Sequence, residues 1–520
     1  PAFSASDLGC HRSVQQPRDL FRLVRLTASF PNLIYVVAFD RARVEQALTE
    51  DGTAGRSYLE KIIQVVVDLP APSERILVQE IGAAIAATLR DVGRDVRFSG
   101  DLWPDVFFEV VRPLLRNMRD VNRYCMSARG TLRIVDGHVE AVDVLALEAV
   151  RVFMPGFFSA IVSNVSLLTK TAPSYGAGTS SPTVGDGMRA ILDAAERTDV
   201  ARAVIQRLFP AAQRFMGGSS YGSEWSAIWL KERRVANEEI LRLYIEGVQG
   251  DALSAFLLAE RAETLLTDAG RLDAFLSALS DDVLTGVVQQ LEAFEGDFHR
   301  EQVVPASQVL LNAVARIVPQ RNGLYSLSPE LIVTRVVLRL FKAVEDEGAR
   351  SSLAIELYPL VNSLSGKFLL VTLLGYREGA GHQLIPRDAA EALEARWRQE
   401  VLSADPESLA GEWDLLRVLY WASQDDGSAI LAETLLDPAV TVALLKSARS
   451  EASSQPIDSR AVRVAQRLAW DTLVSIEGDE ATLLERIEDA RVMLSREDPS
   501  LLELVDRYVS GWRPREFGDD

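Results

Sequence analysis

Cysteine is almost missing from this chain: Cys10 and Cys125 are the only two in 520 residues. Two thiols so far apart build neither a disulfide framework nor a thiolate zinc site, which points to a reducing compartment. Histidine is equally sparse. His11, His138, His299 and His382 are scattered without metal-ligand spacing, so no metal centre is expected. Aromatic residues make up 7% and are not interleaved with basic runs, which argues against a stacking platform for single-stranded nucleic acid. A net charge of −19 removes the basic footprint that general nucleic-acid binding needs. No uninterrupted apolar stretch reaches the ~18 residues of a membrane span. The nearest, Leu145 to Leu168, is cut by Glu148 and Arg151. No basic-then-apolar signal opens the sequence, and the expectation is a cytoplasmic chain.

Two chemical motifs are also lacking. No GxxxxGK[ST] loop exists to cradle nucleotide phosphates. In SLSGKF, Val361 stands where the first glycine of such a loop belongs and Phe368 replaces its Ser or Thr. One GxSxG match, Gly218 to Gly222 around Ser220, lacks the buried strand a nucleophile elbow requires. The preceding RLFPAAQRFM reads as helix, so this is a flexible turn.

What remains is an ordinary globular composition, 48% hydrophobic and 25% charged. The length suits roughly two to four domains with sizeable cores. Charge is unevenly placed. Residues 1–70 hold eight Lys/Arg and eight Asp/Glu, so the acidic excess lies downstream, where it serves solubility or docks a basic partner.

The stretch from Asn32 to Pro70 organises the rest. Leu33 to Phe39 is a continuous apolar run closed by Asp40-Arg41. Such a run reads as a strand buried on both faces of a parallel sheet. A short helix (41–48), a turn marked by Gly52 and Gly55 and a second helix (57–61) follow. A second apolar strand, 62–69, ends on Pro70-Ala71-Pro72. Strand, helix, strand at this spacing is an α/β unit. Upstream, 18–29 reads as an amphipathic helix, while 1–17 has neither a helical nor a strand period.

The same residues carry a resemblance. YVVAFDR followed by G-x-x-YLEKIIQVVVDLP resembles the segment downstream of Walker B in KAP-family P-loop NTPases. The resemblance covers about the first third of the chain well. It implies ATP and Mg²⁺ as cofactors of an intact parent, and an ATP-driven switch controlling a signalling or defence assembly. Walker B itself would fall near Asp7, but Leu8-Gly9-Cys10-His11 supply no partner acid and no apolar strand precedes them. This chain alone is therefore not expected to hydrolyse ATP. Relatives often carry membrane spans upstream of the matching region, so a membrane-associated parent is compatible with the missing span.

Within that frame the nucleotide-sensing candidates are Asp40, Arg41, Lys61, Arg119 and Arg123. Asp40 has three readings: N-cap of the following helix, polar sensor near the γ-phosphate, or Walker B acid. Lys61, in YLEKIIQ beside Gln64, faces either a nucleotide or subunit boundary, or pairs with Glu60 or Asp68. Arg119 and Arg123 match a stretch resembling the sensor-2 region. Spaced i and i+4, they share a helix face, as an anion clamp or a solvated basic stripe. Arg233, Arg234 and Tyr244 match a further family stretch, with no physical role evident from sequence.

The expected architecture is mainly α. Residues 1–72 form a small α/β remnant of the NTPase core and 73–168 a helical lid with a hairpin at 132–142, signalled by Asp136-Gly137. Residues 169–187 are a linker or long loop rich in Ser, Thr, Gly and Pro. Residues 188–520 form a helical body in which a degenerate helical-repeat array is one reading. Protein partners through that body, including a second copy of the chain, are expected. A scaffold without nucleotide chemistry is the alternative function.

Overall fold

The computed structural model describes residues 15–27, 34–49, 55–68, 73–93, 96–172, 182–322, 325–376, 381–424, 434–454 and 463–514. The Walker B region around Asp7 and linker residues 173–181 lie outside them. The chain divides into two compact units between Gly82 and Ala83.

In the first unit, α1 (Gln15–Thr27), α2 (Arg41–Leu48) and α3 (Gly55–Leu59) surround a small core of Phe21, Val44, Leu48 and Leu59. The α1 pattern is amphipathic as expected, but only part of its apolar set is used: Phe21 and Val24 are buried while Leu23 and Leu26 are exposed. Close packing of α2 on α3 depends on Gly55. A Cβ there would lie 1.9 Å from the Glu45 carbonyl oxygen.

The two expected strands are corrected here. Residues 34–40 and 65–68 form no regular secondary structure and join no sheet among the described residues. Alternation nevertheless persists. Val37 and Phe39 pack on the core, whereas Ile34 and Val36 are 89% and 93% exposed. Val65, Val66 and Val67 are exposed together. The helices take Val37 and Phe39 of the first segment and leave Ile34 and Val36 bare, while the second segment is exposed on both sides. A buried parallel strand needs neighbours along its edges and a second layer, and neither is supplied by the described residues.

The second unit is a large helical body. The long helix α4 (Glu74–Val92) begins in the first unit and ends in the second. Then come α5 (Trp103–Val106), a π-helical turn (Phe107–Val111), α6 (Arg112–Leu114), α7 (Met118–Val135) and α8 (Ala141–Phe153). Asn117 caps α7 by accepting from the Asp120 N–H at 3.0 Å. The expected hairpin at 132–142 does not form. Asp136 and Gly137 do turn the chain, with φ of 43° and 76°, but between two helices. The burial of Ala128, Thr131, Leu132 and Val135 explains this: a 3.6-residue period continues up to the turn. Linker residues from Pro182 onward are also helical, in Pro182–Asp193.

Every residue of α8 from Ala141 to Val150 is buried. A helix enclosed all round normally carries no charge, so Asp143 and Glu148 require dedicated partners. The helical body expected over 188–520 includes Pro329–Lys342, Arg387–Leu402 and Glu480–Glu497. Near Gly411 the chain breaks between Pro406–Ala410 and Leu415–Ala422.

Packing in this body has a regular order. Asp251–Glu263 packs on Asp281–Gln290, Ala269–Ser277 on Val303–Asn312, Asp281–Gln290 on Pro329–Lys342, and Pro329–Lys342 on Leu364–Leu374. Leu415–Ala422 packs on Pro438–Ala448, and that helix on Glu480–Glu497. Two small hairpins were not foreseen: β1 (Gln320–Asn322) with β2 (Tyr325–Leu327), and β3 (Arg449–Ser454) with β4 (Arg463–Leu468), both antiparallel. Among the described residues no helix is long and apolar enough to cross a membrane.

Candidate functional site

Asp40 closes the segment 34–40 and caps α2, accepting from the Arg43 N–H at 3.1 Å. It is exposed, and Arg43 Nε lies 3.9 Å from its other oxygen. Arg41 turns along the helix and donates to Glu45 at 2.9 Å. The Glu45 hydrogen bond holds its guanidinium above the ordinary range, with lesser help from Asp68 and Glu60. The end of the segment 65–68 is thus within electrostatic reach of the start of α2. Lys61 is exposed in the turn after α3 and has no ion pair among the described residues. Glu60, its neighbour, is taken by Arg56 at 3.1 Å.

Arg119 and Arg123 belong to the second unit, on the exposed side of α7. Arg119 has no ion pair among the described residues. Arg123 donates to the Val152 carbonyl at 3.0 Å, and its guanidinium lies 5.6 Å from the Phe153 ring centroid. It therefore neutralises the C-terminal end of α8, where backbone carbonyls concentrate negative charge.

The most developed polar centre surrounds α8, and sequence reading singled out only part of it. Glu140 caps the helix: its carboxylate accepts from Asp143 N at 3.0 Å and from Ser99 N at 2.6 Å. Burial and the nearby Asp143 carboxylate push Glu140 up to about 7, against the pull of those two N–H groups and Arg234. Asp143, fully buried, accepts from Arg234 Nε at 2.8 Å and from Val235 N at 2.9 Å. Arg234 also donates to the Arg207 carbonyl, while the Arg207 side chain grips Glu109 with two bonds of 2.8 Å and pairs with Asp105. Arg233, buried with φ of 61°, pairs with Glu260 and lies over Phe256.

One turn further along α8, buried Glu148 accepts four bonds. Thr131 and Tyr244 donate to Oε1 at 2.9 and 2.8 Å, Ser127 and Arg151 to Oε2 at 2.6 Å each. Arg234 and Tyr244 thus gain a role: they serve Asp143 and Glu148, the acids of an enclosed helix, and tie 230–245 to it, while Arg233 pairs with Glu260. The available signal was the presence of Asp143 and Glu148 within an otherwise apolar run.

These arrangements show no nucleotide cradle. Lys367 of SLSGKF lies in the first turn of a helix, bonded to Glu400 at 2.7 Å and set over Tyr358. Ser220 follows a 3₁₀ segment, Pro210–Met216, not a strand. No group of three or more His, Cys, Asp or Glu among the described residues is placed to hold a metal.

Comparison with known proteins finds a similarity in the first part of the chain. Residues 14–135 match the KAP family P-loop domain. The match begins upstream of α1, takes in both apolar segments and ends at the last residue of α7, so Asp40, Arg41, Lys61, Arg119 and Arg123 all fall inside the KAP-matching region. The Glu140, Asp143 and Arg234 centre falls beyond it. No curated protein and no solved structure matched the chain.

Proposed function

We propose that residues 14–135 are the distal part of a KAP-type P-loop NTPase unit whose phosphate loop and Mg²⁺ acids lie on another segment of the parent protein. The observation that carries this reading is the exposed apolar surface of the two segments 34–40 and 65–68. Ile34, Val36, Val65, Val66 and Val67 present apolar surface where the core of such a domain places its central sheet and opposite helix layer. Among the described residues Asp40 is engaged as a cap and Lys367 in an ion pair, which favours placing the nucleotide's phosphates on the completed domain. Asp40, Lys61 and Arg119 are the residues we assign to sensing in the completed domain. ATP turnover there would switch an assembly that the helical body organises through protein contacts.

Calorimetry of Mg²⁺-ATP binding tests the proposal, on this chain and on one extended upstream through its gene. Binding by the extended chain alone supports it. Absence of binding by both, or of any upstream phosphate loop, overturns it.

A second reading, a helical-repeat interaction scaffold, is favoured by the packing order of the body. Each helix from Asp251–Glu263 to Pro329–Lys342 packs against one placed two helices later, as in stacked helical hairpins. The two readings are compatible for different parts of the chain. Pull-down with the full chain, with and without nucleotide on the extended form, separates a switch from a passive scaffold.

A further inference from the structure

A cavity of about 590 Å³ opens beside the start of α8, lined by Arg97, Phe98, Asp101, Leu102, Asp105, Glu140, Glu232 and Arg234, among others. Its size suits a small ligand or one inserted side chain. Four carboxylates face two guanidiniums. Both of those cations are already engaged, Arg97 with Glu260 at 3.0 Å and Arg234 with Asp143. Asp105 is held by Arg207. Asp101 and Glu232 form no salt bridge among the described residues, although Glu232 acts on Arg234 through space.

An independent observation lies directly behind this wall. Asp143 is bonded to both Glu140 and Arg234, is fully buried, and its Oδ1 has no hydrogen-bond partner among the described residues. Two buried carboxylates, Glu140 and Asp143, are therefore served by one buried guanidinium. A buried charge without its counter-charge is costly, so the centre is one positive charge short. A proton or an incoming cation makes up the difference.

We propose that this cavity binds an alkylguanidinium or alkylammonium group, the chemistry of an arginine or lysine side chain or of a free polyamine. The charged head sits against Glu140 with Asp101 and Glu232 at the rim, and the alkyl stem lies along Phe98 and Leu102. Cation and proton then compete for the same deficit. Glu140 loses its proton near neutral pH, with Asp143, Asp105, Asp101, Glu232, Arg97 and Arg234 as the charged groups around it. Binding is accordingly tight above that point and weakens below it.

The test is calorimetry of the full chain with butylguanidine, with neutral butylurea as control, and with a capped Gly-Arg-Gly peptide. Saturable binding of butylguanidine but not butylurea is expected, about tenfold tighter at about pH 8 than at about pH 6, from the protonated fraction of Glu140. Asp101→Asn with Glu232→Gln, both at exposed positions, should weaken it several-fold with the melting curve unchanged. Glu140→Gln should flatten the pH dependence. Binding of the peptide as well identifies a partner's arginine as a source, and binding of butylguanidine alone identifies a free amine or guanidine. Failure of both cationic probes to saturate, or equal affinity in the Asp101/Glu232 double variant, overturns the proposal.

Discussion

Arg234 reaches from the loop before helix 238–246 to the buried Asp143 of α8, Nε to Oδ2 at 2.8 Å, and joins two parts of the chain 91 positions apart. Such a pair is neutral or mildly favourable when whole and strongly unfavourable when half removed, because the survivor is a charge without a partner. Arg234→Met should lower unfolding free energy by about 3–5 kcal/mol in urea titrations. A loss below about 1 kcal/mol would mean that Asp143 finds other neutralisation.

Glu140 predicts a pH dependence with a definite sign. Its folded carboxyl is raised to about 7 from an ordinary value near 4.5, so the folded state holds this proton over a range where the unfolded chain has lost it. The contribution is fully present below the unfolded value and disappears as pH rises through the folded one. Stability should fall between about pH 4.5 and 7, with about 3 kcal/mol as the scale for one such group. Glu477, raised to about 7 by burial, acts over the same window. Chemical denaturation across pH should show a shallower decline in Glu140→Gln; an unchanged slope would exclude Glu140 as its source.

The Tyr244 hydroxyl donates to a carboxylate that also serves Thr131, Ser127 and Arg151. Tyr244→Phe removes one donor to a buried charge and leaves the ring in place. The expected cost is about 1.5–3 kcal/mol, read from denaturation midpoints. Glu148→Gln should cost at least as much, because an amide cannot accept from all four donors.

Asp40 offers a clean separation of capping from sensing. As a cap, Asn serves as well as Asp, while Ala costs about 0.5–2 kcal/mol. Asp40→Asn should leave the melting of the N-terminal unit unchanged, and Asp40→Ala should lower it. In an extended chain that binds ATP, loss of turnover in Asp40→Asn at unchanged stability would assign a role beyond the cap.

Gly55 makes the simplest structural prediction. Its Cβ position falls 1.9 Å from a backbone carbonyl, which cannot retreat as a flexible side chain can. Gly55→Ala should open the contact of α2 with α3 and speed hydrogen exchange around Val44 and Leu48. The second unit should keep its protection; unchanged exchange in both units would contradict the close approach.

Helices were legible because their signals are local. Asp40 before Arg41–Leu48 and Pro329 at the start of Pro329–Lys342 are capping and first-turn residues that act within one turn. The KAP resemblance was legible for the same reason, being carried by contiguous residues. Strands were not, because an apolar run becomes a strand only when another segment pairs with it, and residues 34–39 and 65–67 have no such neighbour among the described residues. Hairpin β3–β4 was missed for the converse reason. RSEASS has no apolar alternation to announce a strand, and its pairing rests on backbone bonds to 463–468.

By itself the sequence determined the helical character of the body, the absence of a phosphate loop and the resemblance of residues 14–135 to the KAP family P-loop domain, since each depends on neighbouring residues. Only the tertiary structure decided what the charged residues do. Arg233, Arg234 and Tyr244 were unexplained as a string. Asp143 and Glu148 are acids in an apolar helix until the fold encloses them. Burial removes the water that would solvate those carboxylates, so the chain must bring distant donors to them. Which donors arrive is settled by packing over separations of about a hundred residues, where no local pattern reaches.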